Sequence, residues 1–244
     1  MTGAPVTVSV VSHGQISLVN QLLDDLSRHC LDELHVILTR NIQEPAPSLP
    51  SNWRHRLEII ENERQRGFGA NHNAAFRRCD TPLFCVANPD IHLTEDPFPV
   101  LAAALERPRV AVAGPLVLDP QGFPEDSARK FPTAGGLLRK LFTHPRGPDY
   151  PVNGPPIEVD WLAGMFMAFR SEAFRAVKGF DERFYLYYED VDICARLSRR
   201  GYSVVYAPEA RITHDARRAS RRDMRLMRIH LASALRYLST TYRR

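Results

Sequence analysis

Residues 6–11 form a short β-branched run that ends in Ser12-His13-Gly14. Apolar residues then recur at Ile16, Val19, Leu22, Leu23 and Leu26, the spacing of one helical face, so the pattern predicts a strand, a turn and a helix. Further strands are predicted at 34–38 and 57–60, separated by a proline-rich loop over 45–50, and a helix at 69–78. Residues 83–87 are continuously apolar, as a central strand buried on both faces would be, and the run stops at Asn88-Pro89-Asp90. A helix at 97–106 and a strand at 110–117 complete an alternating series, which predicts an α/β fold built on a mostly parallel, doubly wound sheet.

The pattern then changes. Residues 119–156 are rich in Pro and Gly with one short apolar helix candidate at 137–142, and read as loop-dominated. Strands resume at 158–161 and 165–169, followed by a helix at 171–176 and a strand at 203–206. His214 is expected in a loop beyond that strand, and a basic helix over 218–242 closes the chain.

Composition adds little until charge is mapped. The 244 residues, 44% apolar and 25% charged, suit one large α/β domain or two small ones. The net charge of +4 is uneven: beyond Ala210 stand Arg211, Arg217, Arg218, Arg221, Arg222, Arg225, Arg228, Arg236, Arg243 and Arg244 against only Asp215 and Asp223. Leu226, Met227, Ile229, Leu231, Leu235 and Leu238 add apolar content, so this segment has three readings. It packs on the domain, lies on an anionic membrane surface, or binds nucleic acid, the last being the least supported because no recognised module accompanies the charge. Cys30, Cys79, Cys85 and Cys194 lack the close paired spacing of a zinc site or disulfide framework, which fits a reducing cytosol. No stretch approaches the roughly 18 apolar residues of a membrane span.

The densest chemistry lies in 179–201, GFDERFYLYYEDVDICARLSRRG. Phe184, Tyr185, Tyr187 and Tyr188 are placed to wall a pocket, and Glu189, Asp190 and Asp192 follow where a helix begins. Carboxylates in a first helical turn ordinarily complement the dipole; the rings beside them argue for a partly dry site where a base meets a hydroxyl. Ligands of open α/β sheets gather beyond the carboxyl ends of strands, where this chain places Ser12, His13, Gly14, Asn62, Asn88 and Asp90. Asp90, projected by Pro89, is either a turn residue or a hard oxygen ligand for Mg²⁺ or Mn²⁺. Gly67 and Gly69 precede a helix whose first turn carries Asn71 and Asn73, a weak signal for a phosphate.

Taken together these residues resemble an inverting glycosyltransferase of the large family 2, with the GT-A fold and nucleotide-diphosphate sugar donors. Gly179-Phe180-Asp181-Glu182, the aromatic run and Glu189-Asp190-Val191-Asp192 match the segment that carries the family's catalytic acidic pair. Asn88-Pro89-Asp90 resembles the metal and diphosphate motif of the rhamnosyltransferase-like branch, and Asn62, Gly67, Phe68, Gly69 and Asn73 match the donor-nucleotide segment. Trp161 with Gly164 resembles the strand leading to the acceptor side, and His214 falls where many GT-A enzymes keep another metal ligand. Gln65 in place of a common Asn, and Lys178 in place of the first glycine of a Gly-Gly pair, depart from the pattern without removing a catalytic group.

The resemblance implies a single GT-A domain over 1–217, its nucleotide-sugar half at 1–118 and its acceptor and catalytic half at 119–217, followed by the basic segment 218–244. It implies Asp190 as general base, Glu189 as a group positioning acceptor or donor sugar, and Asp90 with His214 as ligands of Mn²⁺ or Mg²⁺. dTDP-L-rhamnose is the favoured donor, with UDP-sugars next, and the acceptor a glycan or lipid-linked glycan of polysaccharide assembly. The expected setting is cytoplasmic, with a peripheral contact to the inner membrane face and no nucleic-acid partner. Two rivals share the architecture. A sugar nucleotidyltransferase is disfavoured because Ser12-His13-Gly14-Gln15 lacks the basic residues of such an enzyme's first loop, and a non-catalytic nucleotide-sugar or glycan binder is the other.

Overall fold

The computed structural model describes residues 5–133, 147–215 and 224–241, so the helix candidate at 137–142 and the arginines at 217–222 lie outside the described residues. The first half follows the sequence pattern closely: β1 (Val6–Ser12), α1 (Ile16–His29), β2 (Leu34–Arg40), β3 (Arg56–Glu61), α2 (Phe68–Phe76), β4 (Leu83–Ala87), β5 (Ile91–His92), α3 (Phe98–Glu106) and β6 (Val110–Leu118). After β7 (Ala128–Arg129) come β8 (Ile157–Val159), β9 (Trp161–Leu162), β10 (Phe166–Arg170), α4 (Ser171–Ala176), α5 (Glu189–Arg199), β11 (Ser203–His214) and α6 (Met224–Thr241).

Among the described residues the main sheet runs β3-β2-β1-β4-β10-β6-β11-β5, with β8 added on β11, and β7 pairs β9 separately. β1, β2, β3, β4, β6 and β11 point one way; β10, β5 and β8 are antiparallel to their neighbours. Alternate residues of the central strands feed two cores. Val6, Val8, Val10, Cys85 and Ala87 pack with Leu22, Leu23, Leu26 and Leu101 of α1 and α3. Phe84, Val86, Met167 and Phe169 pack with Ala74, Phe174, Ile193 and Leu197 of α2, α4 and α5. Helices on both faces force the strands to be apolar on both faces, which is why β4 is unbroken.

The structure corrects the sequence reading at two places that bear on the site. The strand expected at 203–206 continues to His214, so His214 ends β11 and pairs with Ile91 of β5 rather than sitting in a loop. Pro208 hides the continuation; the ladder shifts register between Ala207 and Arg211 and then resumes beside β6. The strand expected at 158–161 is broken at Asp160, whose carboxylate accepts from Phe131 N–H at 2.7 Å and Tyr150 O–H at 3.2 Å and so holds the preceding loop.

Candidate active site

The acidic pair sits at the start of α5. Tyr187 and Tyr188 both adopt left-handed backbone, φ 69° and 67°, before the helix begins at Glu189. Such a conformation in a non-glycine residue costs on the order of 1–3 kcal/mol, so packing must hold it. α6 does so: His230 stacks edge-on with Tyr187 and Tyr188 at 5.2 and 5.4 Å, Tyr237 lies 5.7 Å from Tyr188, and Ser233 Oγ donates to Leu186 O at 2.9 Å. The aromatic run therefore does not wall one pocket as its sequence suggests. Phe184 and Tyr188 are core residues, while Tyr185 is exposed.

Asp190 is half-buried and its two oxygens have separate jobs. The N–H of Gly164 donates to Oδ2 at 2.9 Å, and the N–H of Val191 donates to Oδ1 at 2.8 Å. Burial raises the Asp190 pKa above the ordinary carboxylate value, and these N–H donors pull it back by favouring the anion. Glu189 beside it is 4% exposed, with Oε2 lacking a hydrogen-bond partner. Burial, and then the charge of Asp190, raise its pKa well above normal. Both carboxylates are thus raised, Glu189 the more strongly, and the two titrate as a pair. Asp192 instead bridges Arg196 at 2.6 Å, and Arg196 donates onward to Val177 O, so it braces α4 against α5.

A second cluster lies across the β9–β10 connection. Met165, next to Gly164, accepts from Asn88 N–H at 2.9 Å, and Asp90 follows two residues later. This short path links the Asp190 anchor to the end of β4. Asp90 Oδ1 is buried without a well-formed hydrogen bond and lies 3.4 Å from His214 Nε2. His214 Nδ1 is 2.8 Å from Glu125 Oε2. Burial alone would lower the His214 pKa, but Asp90 and Glu125 outweigh it and raise it to about 9. Two atoms each about 2.1 Å from one divalent cation, at right-angled to tetrahedral geometry, lie roughly 3.0–3.4 Å apart. The Asp90–His214 pair fits that spacing, and Glu125 stands where a carboxylate orients a ligating imidazole. Among the described residues no set of three or more His, Cys, Asp or Glu side chains forms a metal cage. Substrate oxygens and water would complete the shell of a Mg²⁺ or Mn²⁺ ion held by such a pair.

The remaining strand ends form a polar strip. Ser12 Oγ donates to Glu44 Oε2 at 2.8 Å, while His13 and Gly14 are exposed beside it. Asn62 donates to the side-chain oxygens of Asn41 and Asn71 at 2.9 and 2.7 Å, and Asn41 exchanges hydrogen bonds with the backbone of Arg66. Sequence reasoning missed Asn41, Glu44 and Glu125. Asn41 carries the same signal as Asn62, a polar residue directly after a strand, whereas nothing near Glu125 in sequence points to His214.

Four residues expected to meet a ligand have partners within the chain. Asn73 Nδ2 donates to Phe180 O at 2.9 Å and Glu182 Oε1 at 3.1 Å, and its Oδ1 accepts from Phe180 N–H at 2.9 Å. Its amide clamps α2 to the loop before α5. Gly67 and Gly69 serve the same junction: a Cβ would stand 2.5 Å from Tyr185 O at Gly67 and 2.7 Å from Phe180 Cβ at Gly69. Trp161 is 7% exposed, donates to Lys130 O at 2.9 Å, and carries the Arg129 guanidinium 5.2 Å above its ring, so it offers no open stacking face. Gly164 does lie at the acidic pair; a Cβ there would meet Asp190 Cβ at 3.5 Å and Phe68 at 3.4 Å. A separate cleft lined by Cys79, Leu83, Arg170 and Arg175 opens at the opposite end of β4 and contains none of these groups.

Residues 89–238 match the family described as glycosyl transferase family group 2. The chain is 37% identical over 153 residues to N-acetylglucosaminyl-diphospho-decaprenol L-rhamnosyltransferase of Mycobacterium tuberculosis, covering 57% of this chain and 48% of that protein. It therefore spans about half the length of that relative. Over 248 aligned positions it is 29% identical to rhamnosyltransferase WbbL of Escherichia coli K12, covering 96% of this chain and 92% of that one. Among solved structures, GalNAc-T7 with UDP, GalNAc and Mn²⁺ superposes with a TM-score of 0.64 at 14% identity, covering 88% of this chain and 44% of the other. The mannosyltransferase PcManGT of Pyrobaculum calidifontis with GDP-Man and Mn²⁺ gives 0.58 at 17% identity, covering 88% and 58%. These neighbours are GT-A glycosyltransferases and share the fold. The family match takes in the acidic pair, Asp90, His214 and most of α6, and the chain belongs to glycosyl transferase family group 2, whose members are sugar-transferring enzymes.

Proposed function

We propose that this chain transfers a sugar from a nucleotide-diphosphate donor to a hydroxyl of a glycan or glycolipid acceptor, with inversion at the anomeric carbon. The observation that carries the reading is the geometry of Asp190: a half-buried carboxylate whose two oxygens each accept a backbone N–H, from Gly164 and Val191, beside the buried Glu189. Asp190 takes the acceptor proton as the acceptor oxygen bonds to the anomeric carbon, and the nucleoside diphosphate leaves from the opposite face. Glu189, more deeply buried and with Oε2 lacking a hydrogen-bond partner, positions the sugar. Asp90 and His214 would hold Mg²⁺ or Mn²⁺, whose charge stabilises a diphosphate leaving group.

Ser12, His13, Gly14, Asn62, Asn88 and Asp90 form the donor side, with Gly67 and Gly69 fixing its floor, and Gly164 with Trp161 supports the acceptor side. This divides the domain into a donor half over 1–118 and an acceptor half over 119–217. The rhamnosyltransferase relatives favour dTDP-L-rhamnose as donor, and the name of the mycobacterial one favours a diphosphate-linked lipid as acceptor. No helix among the described residues is long and apolar enough to cross a membrane. α6 nevertheless exposes Met224, Met227, Leu231 and Leu235 on one face beside exposed Arg228 and Arg236, which supports peripheral contact with an anionic membrane.

Calorimetric titration with UDP, dTDP and GDP, with and without Mn²⁺, tests the donor reading: one nucleotide is expected to bind in a metal-dependent manner. Asp190→Asn is expected to bind that nucleotide as the wild type does and to lose about 10²–10⁴-fold in turnover. Retained turnover in Asp190→Asn overturns the base assignment, and binding of none of the three nucleotides overturns the donor reading.

A further inference from the structure

Arg129 is absent from the chemistry above, yet the fold ties its strand to the strand that leads to the acidic pair. β7 pairs with β9 so that Arg129 lies directly opposite Trp161 and Ala128 opposite Leu162. The guanidinium lies 5.2 Å above the Trp161 ring, and that ring is pinned by its own hydrogen bond to Lys130 O at 2.9 Å. One residue beyond β9 the N–H of Ala163 donates to Ser127 O at 2.8 Å, and at the next residue Gly164 N–H holds Asp190 Oδ2 at 2.9 Å. One short strand thus sets both the cation and the carboxylate that receives the proton. Burial is the first cause of the pKa shifts of Asp190, Tyr188 and His230, and the positive charge of Arg129 lowers all three.

We propose that Arg129 forms an anion subsite on the acceptor side, where its guanidinium takes a phosphate of a diphosphate-linked acceptor and brings the acceptor hydroxyl to Asp190. The inference deepens the sugar-transfer reading and rests on it. Three features support it. The partner of Arg129, Asp126, is a neighbour three residues away at 2.9 Å with a side chain 49% exposed, the kind of pair that contributes little and exchanges readily. A guanidinium stacked on an aromatic face keeps its donor edges free for a phosphate, which it binds more strongly than a neutral donor would. Its strand, β7, pairs with β9, which runs directly into Gly164 and its hydrogen bond to Asp190, so the cation is anchored to the element that holds the base.

The test uses the full chain in metal-free buffer containing EDTA, which keeps a diphosphate probe off the Asp90 side. Decyl diphosphate and, as a neutral amphiphile, decyl glucoside are titrated calorimetrically into wild type, Arg129→Met and Arg129→Lys, each checked for an unchanged melting transition. Decyl diphosphate is expected to bind the wild type at least about tenfold more tightly than Arg129→Met, with Arg129→Lys between them, while the glucoside does not distinguish the three. Equal affinity of wild type and Arg129→Met for the diphosphate overturns the proposal, and is the outcome expected if Arg129 only tunes Asp190 electrostatically. Failure of the wild type to bind the diphosphate also overturns it, and leaves the nucleotide titration, which tests the transfer reading, independent of that result.

Discussion

Replacing Asn73 by Ala separates a ligand contact from a structural clamp. The change removes three hydrogen bonds between α2 and the loop before α5: Phe180 N–H loses its acceptor, and Phe180 O and Glu182 lose a donor. The Glu182 contact is exposed and contributes little, but the two Phe180 backbone groups lie in a part-buried junction with no slack. Gly69 already packs against Phe180 so closely that a Cβ would stand 2.7 Å from it, and Gly67 approaches Tyr185 O to 2.5 Å on the same measure. The loop therefore cannot settle toward α2 to find new partners. At about 1–1.5 kcal/mol per lost backbone bond, with water reaching the half-exposed site, the expected destabilisation is about 2 kcal/mol. For a domain of this size that is a fall of about 4–8 °C in the melting temperature. Urea and thermal unfolding read the loss, and calorimetry on folded protein reads nucleotide binding, which is expected to stay within about twofold of wild type. Asn73→Asp keeps the acceptor for Phe180 N–H but sets a negative charge against Phe180 O and Glu182, so it is expected to be no more stable than Asn73→Ala. An Asn73→Ala protein with wild-type stability and lost nucleotide affinity would refute the clamp and restore the contact that the sequence suggests.

Glu125→Ala is expected to weaken Mn²⁺ binding about 10–100-fold, measured by the EPR signal of free Mn²⁺, because His214 loses the carboxylate that orients it. Glu125→Gln retains an acceptor for Nδ1–H and should recover most of the affinity; equal losses in both variants, or none in either, would count against an orienting role. His72, fully buried with Nδ1 2.8 Å from Ser9 Oγ, has its pKa lowered by burial to about 3. Since the unfolded chain takes up that proton first, at about pH 6.5, its contribution is fully present above pH 6.5 and is lost as pH falls toward 3, costing roughly 2 kcal/mol at pH 5. Urea unfolding at pH 7 and pH 5 measures the slope, and His72→Gln should flatten it; an unchanged slope would show that His72 does not carry the acid sensitivity.

The sequence displayed what depends on local periodicity and concealed what depends on direction and distance. β4 is readable because helices on both faces demand an unbroken apolar strand, and α1 because Leu22, Leu23 and Leu26 recur on one side. The reversal of β10 between β4 and β6 is not readable, because an antiparallel strand buried on both faces has the same composition as a parallel one. β11 looked short because Pro208 interrupts its pattern, yet the ladder tolerates one irregular stretch and carries His214 to the end of β5. Residue type alone singled out Glu189-Asp190 and Asp90 as candidates, and the fold sets them in polar, partly buried surroundings. Residue type misled where one type serves two purposes, since an amide at a helix start suits a ligand or a neighbouring backbone equally well, and Asn73 takes the backbone. Glu125 lies 89 residues from its partner His214, a separation that no local pattern spans.

Two adjacent left-handed tyrosines show why the C-terminal helix belongs to the catalytic half although it reads as an appendage. At roughly 1–3 kcal/mol for each such residue, the backbone at Tyr187 and Tyr188 would relax if the surrounding structure allowed it, and α5 would start elsewhere. Relaxation would move Glu189 and Asp190 together, breaking the alignment of Asp190 with Gly164 N–H, which depends on where the first turn begins. α6 supplies the restraint through the buried Ser233 and Tyr237 and through the ring of the more exposed His230, while Met224, Met227, Leu231 and Leu235 stay outside. The family match likewise does not stop at the sheet but extends through residue 238, beyond Tyr237. Arg228 and Arg236, which help make the segment look like a detachable basic tail, therefore stand on a helix whose other face packs against the start of α5.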